Sequence, residues 1–275
     1  MTYAPDRVLL IDTDNGLGSP SGDIDDGFAL AALIRSGLPI AAITTVAGNT
    51  TAELSYRNTT RLAAILDYSG PVLRAADAAA VIGTFTGRIA ALGPLTSVVA
   101  ASGASEIVIV GGTFETHGRW PPLWPYEFNL TFDRNGARRV FHADVPLTIF
   151  PIDIARRMWA REPDLDDIPG PFGEMARKES RRWFRHLFWL RQTRRFPIYD
   201  LAAAMYLIAT EPSPGGRGRA EGGIGGEGSG LTMVDTVASM RESTFIEFGK
   251  GSRPVRVCTA VRRELLWQRF LQLFA

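Results

Sequence analysis

The fold is set by two neighbouring runs near the start of the chain, LLIDTDNG at residues 9–16 and DIDDGFALAALI at residues 23–34. The first is a short apolar run that ends in acidic residues, which is typical of a buried strand and the loop that follows it. The second begins a stretch, residues 25–36, with apolar residues at helical spacing, which predicts a helix that stops before Gly37, a residue type that commonly ends helices. A strand that leads into a helix is the repeating unit of α/β folds.

The same alternation continues downstream. Further strands are predicted at 39–46, 106–110 and 146–150, and further helices at 51–68 and 133–142. This order indicates an α/β fold with an open, mostly parallel, Rossmann-like central sheet flanked by helices. Such sheets bind ligands at the carboxyl ends of their strands, so the site is expected at that edge. The polar or glycine positions at predicted strand ends are Asp12, Asp14, Asn49, Gly111 and Asp153.

We expect residues 1–275 to form a single domain. Hydrophobic residues make up 45% of the chain and charged residues 21%, which is ordinary for a globular protein. Residues 211–230 are rich in glycine and are expected to form a mobile loop within this domain. The remainder is too short to fold alone, and it is predicted to form a pair of strands and a closing helix at 262–274.

Composition argues against several classes of protein. The net charge is +1, so no overall field favours nucleic acid or an anionic membrane as a partner. No run of 18 apolar residues occurs and no apolar segment as long as the hydrophobic region of a signal peptide follows residues 1–7, so a cytoplasmic location is expected. The single cysteine, Cys258, rules out an internal disulfide or a thiolate metal cluster and is expected to be buried and inert.

Five aspartates lie within the fifteen residues 12–26. Carboxylates this dense repel one another unless protons or a cation neutralise them, and hard oxygen ligands suit Ca²⁺ or Mg²⁺. The alternative is a solvated acidic loop whose last carboxylates cap the following helix. An EF-hand loop is excluded, because its sixth and twelfth positions counted from Asp12 would be Leu17 and Asp23 instead of glycine and glutamate.

A strand that ends in Asp-x-Asp also resembles the haloacid-dehalogenase-type phosphatases. In that Mg²⁺-dependent interpretation Asp12 would be the nucleophile and Asp14 the acid/base. These enzymes also need a lysine to steady the phosphoaspartate. The chain has only Lys178, in a basic stretch, and Lys250, between two glycines. The phosphatase is therefore kept as the alternative hypothesis.

The run LLIDTDNG…DIDDGFALAALI also resembles the signature of the inosine–uridine-preferring nucleoside hydrolases, Asp-x-Asp-Pro-Gly-x-Asp-Asp-Ala. Five further blocks follow in the family's order: ITTVAGN (43–49), GPLTS (93–97), IVIVGG (107–112), YEFNLTFD (126–133) and FPIYDLAAAMY (196–206). This resemblance implies a Ca²⁺-dependent N-glycosidase of the EC 3.2.2 type that releases ribose from a ribonucleoside. It also implies a role in nucleoside catabolism or salvage, and relatives that are commonly homodimers or homotetramers.

The resemblance assigns roles to individual residues. Asp14 would take a proton from the attacking water, and Asp12 would be a supporting acidic residue behind Asp14. The implied calcium ligands are Asp14, Asp26, Thr96 (through its backbone carbonyl) and Asp200. The implied ligands of the sugar hydroxyls are Asp25, Asn49, Glu127, Asn129 and Asp200.

The chain departs from the family pattern in ways that affect the chemistry. Residues 17–24 interrupt the signature, which leaves open whether Asp23 or Asp25 binds the sugar. Tyr199 replaces a histidine that assists the leaving base, and a phenol, whose ordinary pKa is about 10, is a weaker acid at neutral pH. We therefore consider both Tyr199 and His117, in the loop at 113–126, as acids. A third hypothesis is an inactive relative that binds a ribosylated ligand.

One basic stretch, residues 177–195, is not explained by the resemblance. It holds seven arginines and one lysine interleaved with large apolar side chains. This pattern is typical of a surface helix that buries its aromatic face, although contact with RNA, a membrane or a substrate phosphate is an alternative.

Overall fold

The computed structural model describes residues 7–19, 22–113, 127–191 (backbone only for 186–191), 195–210, 229–241 and 245–275. The helices are α1 (Asp25–Arg35), α2 (Ala52–Ile65), α3 (Ala75–Thr84), α4 (Asn129–Phe132), α5 (Arg134–His142), α6 (Ile152–Ala155), α7 (Gly170–Arg191), α8 (Tyr199–Ala209) and α9 (Arg263–Gln272). The strands are β1 (Leu9–Thr13), β2 (Ile40–Thr45), β3 (Val72–Leu73), β4 (Arg88–Ala91), β5 (Glu106–Val110), β6 (Leu147–Phe150), β7 (Trp159–Arg161), β8 (Arg195–Pro197), β9 (Leu231–Met240), β10 (Ile246–Phe248) and β11 (Arg253–Val261).

The central sheet has nine strands in the order β10-β9-β11-β6-β5-β4-β1-β2-β3. From β11 to β3 all neighbours are parallel, and only β9 and β10 join as antiparallel strands. Strands β7 and β8 form a separate two-stranded sheet. This is the mostly parallel, helix-flanked α/β sheet that the sequence predicts.

The sheet is buried on both faces. Along β1, Leu9 and Ile11 join one apolar core while Leu10 joins the core on the opposite face. This alternation explains why β1 is apolar without interruption, as expected for a parallel strand covered by helices. Cys258, in β11, is fully buried, which confirms that part of the prediction for it.

Most of the basic stretch forms the C-terminal part of α7. Phe184 is buried and Trp183 packs edge-to-face against Phe196, with ring centroids 5.8 Å apart. The cationic residues Lys178, Arg181, Arg182 and Arg185 are exposed. This part of the stretch is therefore a surface helix with a buried aromatic face. Among the described residues no helix combines the length and apolarity that crossing a membrane requires.

Candidate active site

Two helices begin at the carboxyl edge of the sheet and carry acidic residues in their first turns. Asp25 and Asp26 open α1, and Asp200 lies in the first turn of α8, which packs alongside α1. Asp14 follows directly after β1. All four side chains are at most 4% exposed, so the fold buries four carboxylates where two helix N-termini offer partial positive charge.

The four carboxylates share one electrostatic environment. Burial raises the pKa of Asp200 well above its ordinary value, and repulsion from Asp25, Asp26 and Asp14 raises it further. Burial likewise raises the pKa of Asp26, with repulsion from Asp14 next in importance. Residues separated by almost two hundred positions in the chain are thus brought together, as the resemblance implies.

Asp14 is held by backbone on two sides. Its Oδ2 accepts a hydrogen bond from the Asn49 backbone N–H, whereas its buried Oδ1 has no partner among the described residues. A Cβ atom at Gly48 would lie 2.1 Å from Oδ2, and one at Gly93 would lie 2.7 Å from Oδ1. Burial, opposed by the Asn49 hydrogen bond, raises the pKa of Asp14 to about 7. Both glycines are therefore needed to admit the Asp14 carboxylate.

Asp12 lies one layer behind this group. Its Oδ1 accepts a 2.6 Å hydrogen bond from the Thr44 hydroxyl, and the residue is 1% exposed. Burial raises the pKa of Asp12 to about 7. Thr13 donates a hydrogen bond to Asp26 and fixes that carboxylate from the strand side.

The insertion at residues 17–24 is anchored at several points. Leu17 is fully buried and occupies the space that a side chain at Gly27 would need. Gly16 and Gly22 approach so closely that a Cβ on Gly16 would lie 3.0 Å from the Gly22 Cα atom. The Asn58 side chain donates to the Asn15 carbonyl at 3.1 Å and to the Ser19 hydroxyl at 2.9 Å. The described part of the insertion is therefore tied to β1, α1 and α2.

This anchoring places a further carboxylate in the site. Carboxylate oxygens of Asp23, Asp25 and Asp26 lie within 4.8 Å of one another, an arrangement that could hold a metal ion. The Asn49 side-chain amide donates to Asp23 at 2.6 Å and more weakly to Asp26 at 3.5 Å. Asp23 also shares a hydrogen bond with Asp25. The sequence had left open whether Asp23 or Asp25 binds the sugar, and the structure brings both carboxylates to the site.

Glu127 and Asn129 lie at the ends of the next strands. Glu127 is 5% exposed; its Oε2 accepts from the Leu130 N–H at 2.7 Å, and its buried Oε1 has no described partner. Burial raises the pKa of Glu127 to about 8. Asn129 Nδ2 donates to the carbonyls of Leu92 and Val110 at 2.9 and 3.0 Å. With both side-chain N–H groups used, Asn129 can offer a ligand only its Oδ1.

The remaining predicted residues differ in what the structure says of them. Thr96 lies in the loop after β4, three residues beyond Gly93, with an exposed side chain. Tyr199 is the first residue of α8 and is half-buried, and its backbone N–H donates to the Asp25 carboxylate. His117 and most of the glycine-rich segment at 211–230 lie outside the described residues.

Comparisons with known proteins bear on the family and the fold. Residues 86–268 match the family model described as inosine-uridine preferring nucleoside hydrolase. A plant nucleoside hydrolase, PpNRh1, is similar in structure, with a TM-score of 0.77, 19% identity, and coverage of 98% of this chain and 100% of the other. A purine-preferring ribonucleoside hydrolase from Gardnerella vaginalis has a TM-score of 0.75, 14% identity, and coverage of 97% and 98%. No curated protein sequence matches significantly.

Proposed function

Because the chain belongs to the inosine-uridine preferring nucleoside hydrolase family, a family of N-glycosidases, we propose that it hydrolyses the N-glycosidic bond of a ribonucleoside to free base and ribose. The observation that carries this proposal is the convergence of Asp14, Asp26 and Asp200, three buried carboxylates from two distant segments, at the carboxyl edge of the sheet. Buried carboxylates in such proximity need a neutralising partner, and a ribose bound there would meet oxygen ligands on several sides.

The donor set fits a hard divalent cation, and we assign that role to Ca²⁺. Asp14, Asp26, Asp200 and the backbone carbonyl of Thr96 would hold it. Buried Asp14 Oδ1, which lacks a described hydrogen-bond partner, is an atom that such an ion would satisfy. When bound, calcium supplies positive charge that orients the ribose diol and acidifies a water molecule.

The catalytic step assigned to the protein is a proton transfer to Asp14. As a water oxygen attacks the anomeric carbon, the water proton passes to the Asp14 carboxylate, and the electrons of the breaking C–N bond leave with the base. Positive charge develops on the ribose in an oxocarbenium-like transition state. The surrounding carboxylates stabilise that charge electrostatically in a site shielded from water.

The leaving base must gain a proton. We assign this role to Tyr199 or His117, as the sequence suggests. Tyr199 is favoured by its place in the first turn of α8, next to Asp200, with its backbone bound to Asp25.

For the sugar hydroxyls we assign Asp25 as the main ligand, together with Asn49, Asp200, Glu127 and Asn129. Asp25 Oδ1 is buried without a described partner, whereas the Asp23 carboxylate already accepts from Asn49. Replacing Asp25 by asparagine should therefore raise KM at least about tenfold, since a hydrogen bond to a charged acceptor contributes roughly 1.5–3 kcal/mol. Replacing Asp23 by asparagine should raise it less. Steady-state kinetics on both variants decide the assignment, and a larger effect at Asp23 would reverse it.

A nucleoside panel tests the function itself. The calcium-loaded protein should release ribose and free base in equal amounts from at least one of inosine, uridine, adenosine or cytidine, measured as reducing sugar and by chromatography. A protein that retains calcium and binds a nucleoside without releasing base would instead be a ribosylated-ligand binder.

The structure gives little support to the phosphatase alternative. Asp12, its required nucleophile, is 1% exposed behind Asp14. Lys178 is exposed on α7, and Lys250 is exposed and paired with Glu247 at 3.3 Å. Neither lysine adjoins the carboxylates, so a phosphoaspartate there would lack its cationic partner.

A further inference from the structure

A cavity lies at the opposite ends of the parallel strands from the carboxylates. It has a volume of about 740 Å³ and is walled by the first residues of β4, β5, β6 and β11 together with the end of α8. A cavity of this size accommodates a small metabolite. Its separation from the carboxylate site is large, because the length of the strands lies between them.

The floor of this cavity is a fixed polar network. The Glu106 carboxylate forms an ion pair with Arg88 at 2.8 Å and accepts hydrogen bonds from the hydroxyls of Tyr206, at 3.0 Å, and Thr148. The Arg256 guanidinium continues the network, donating to the Tyr206 hydroxyl at 3.4 Å. Since Glu106 is only 16% exposed and fully engaged, it is not available to a ligand.

The cavity has an excess of positive charge. It is lined by four arginines and three acidic residues. The arginines are Arg7, Arg88, Arg253 and Arg256, and the acidic residues are Glu106, Asp144 and Asp235. Asp235 is neutralised by Arg256 at 2.7 Å. The lining therefore favours an anionic ligand.

Two buried donors in this cavity lack acceptors. Among the described residues, Arg253 Nε and Ser105 Oγ are buried and have no hydrogen-bond partner. The other end of the Arg253 guanidinium donates to the Val145 carbonyl. Arg253 and Ser105 both line the cavity, and a buried donor without an acceptor is unfavourable.

We propose that this cavity binds a small phosphate monoester, with Arg253 and Ser105 as the ligands of its phosphate. A phosphate offers several acceptor oxygens, so one group can satisfy both donors, and arginine is well suited to bind it. The volume beyond the phosphate leaves room for a sugar-sized substituent. This site is independent of the nucleoside hydrolase activity.

Titration calorimetry at constant ionic strength tests the proposal, with inorganic phosphate and ribose 5-phosphate as probes of the full-length, calcium-loaded protein. Wild type should bind ribose 5-phosphate saturably. Ser105→Ala should weaken binding about tenfold, and Arg253→Gln should abolish it, whereas Arg57→Gln, at an exposed position on α2, should leave it unchanged. If Arg253→Gln fails to fold, Arg253→Lys keeps the charge, loses Nε and should still weaken binding.

The two probes distinguish the source of the phosphate. Tighter binding of ribose 5-phosphate supports the monoester, while equal affinities would show that free phosphate is the ligand and overturn the sugar-sized substituent. The site would be overturned if the wild type showed no saturable binding. It would also be overturned if Ser105→Ala and Arg253→Gln both bound ribose 5-phosphate with the wild-type affinity.

Discussion

Replacing Asp14 by asparagine is expected to lower kcat by about 10²–10⁴-fold, the usual contribution of a general base. The amide keeps the size of the side chain and an oxygen able to accept the Asn49 N–H, so the local backbone should be retained. It cannot take a proton from water at neutral pH. The measurement is the initial rate of ribose release by wild type and variant under the same conditions.

Asp14 is also a proposed calcium ligand, so the loss of the base must be separated from the loss of the ion. Both proteins are assayed at calcium concentrations shown by calorimetry to be saturating for each. A matched control is Asp166→Asn, an exposed carboxylate in the turn before α7, which should leave kcat unchanged. An Asp14→Asn protein that retains more than a tenth of the wild-type kcat would remove Asp14 from the mechanism.

Local patterns predicted the central part of the fold well. Strand β5 is found at the predicted bounds, and α1, α5 and β6 differ from theirs by a single residue. These elements have clear apolar periodicity and a turn residue at an end. The sequence missed α3, whose run of alanines carries little periodic contrast, and β7 and β8, which have three residues each and are too short for a pattern.

The C-terminal part shows what local patterns cannot supply. Two strands and a helix were predicted after residue 230, and the structure has three strands and a helix there. Strand β11 lies between β9 and β6, parallel to β6 and antiparallel to β9. This position depends on pairing between segments about a hundred residues apart, which apolar periodicity does not encode. The single-domain assignment for residues 1–275 stays a prediction.

At the site, residue types were predictable and their directions were not. The motif resemblance named Asp26 and Asp200, and the fold brings them together. Nothing local indicated that Asn129 would turn both amide hydrogens to strand-end carbonyls. The sequence left open whether Asp23 or Asp25 binds the sugar; both reach the site, and Asp23 does so because the insertion is anchored to neighbouring elements.

Calcium should stabilise this protein strongly, and more so at high pH. Burial raises the folded-state pKa of Asp14 to about 7 and that of Asp200 well above its ordinary value. Without a cation, the folded protein therefore favours the protonated carboxyls. The contribution of these two carboxyls to stability should be greatest below their unfolded pKa of about 3.8 and should fall as the pH rises through their folded pKa values. In chelator, the melting temperature should thus be lower at pH 8 than at pH 5.5, with calcium reversing the loss.

Asp200→Asn should change this behaviour in two opposite directions. Without calcium at pH 8 the variant should be more stable than wild type, because it no longer buries that charge. Calcium should stabilise the variant less than it stabilises the wild type. At a calcium concentration 100 times the wild-type Kd, the wild type gains about 2.7 kcal/mol, whereas a hundredfold weaker site gains about 0.4 kcal/mol.

Denaturant unfolding measures the free energy of unfolding of each protein in four conditions, with and without calcium at pH 5.5 and at pH 8. Asp166→Asn is the control. If Asp200→Asn kept the full calcium-dependent stabilisation, α8 would contribute no ligand to the ion. The proposed catalytic centre would then lack the carboxylate that joins its two halves, because Asp14 and Asp26 both come from the first strand and helix of the chain.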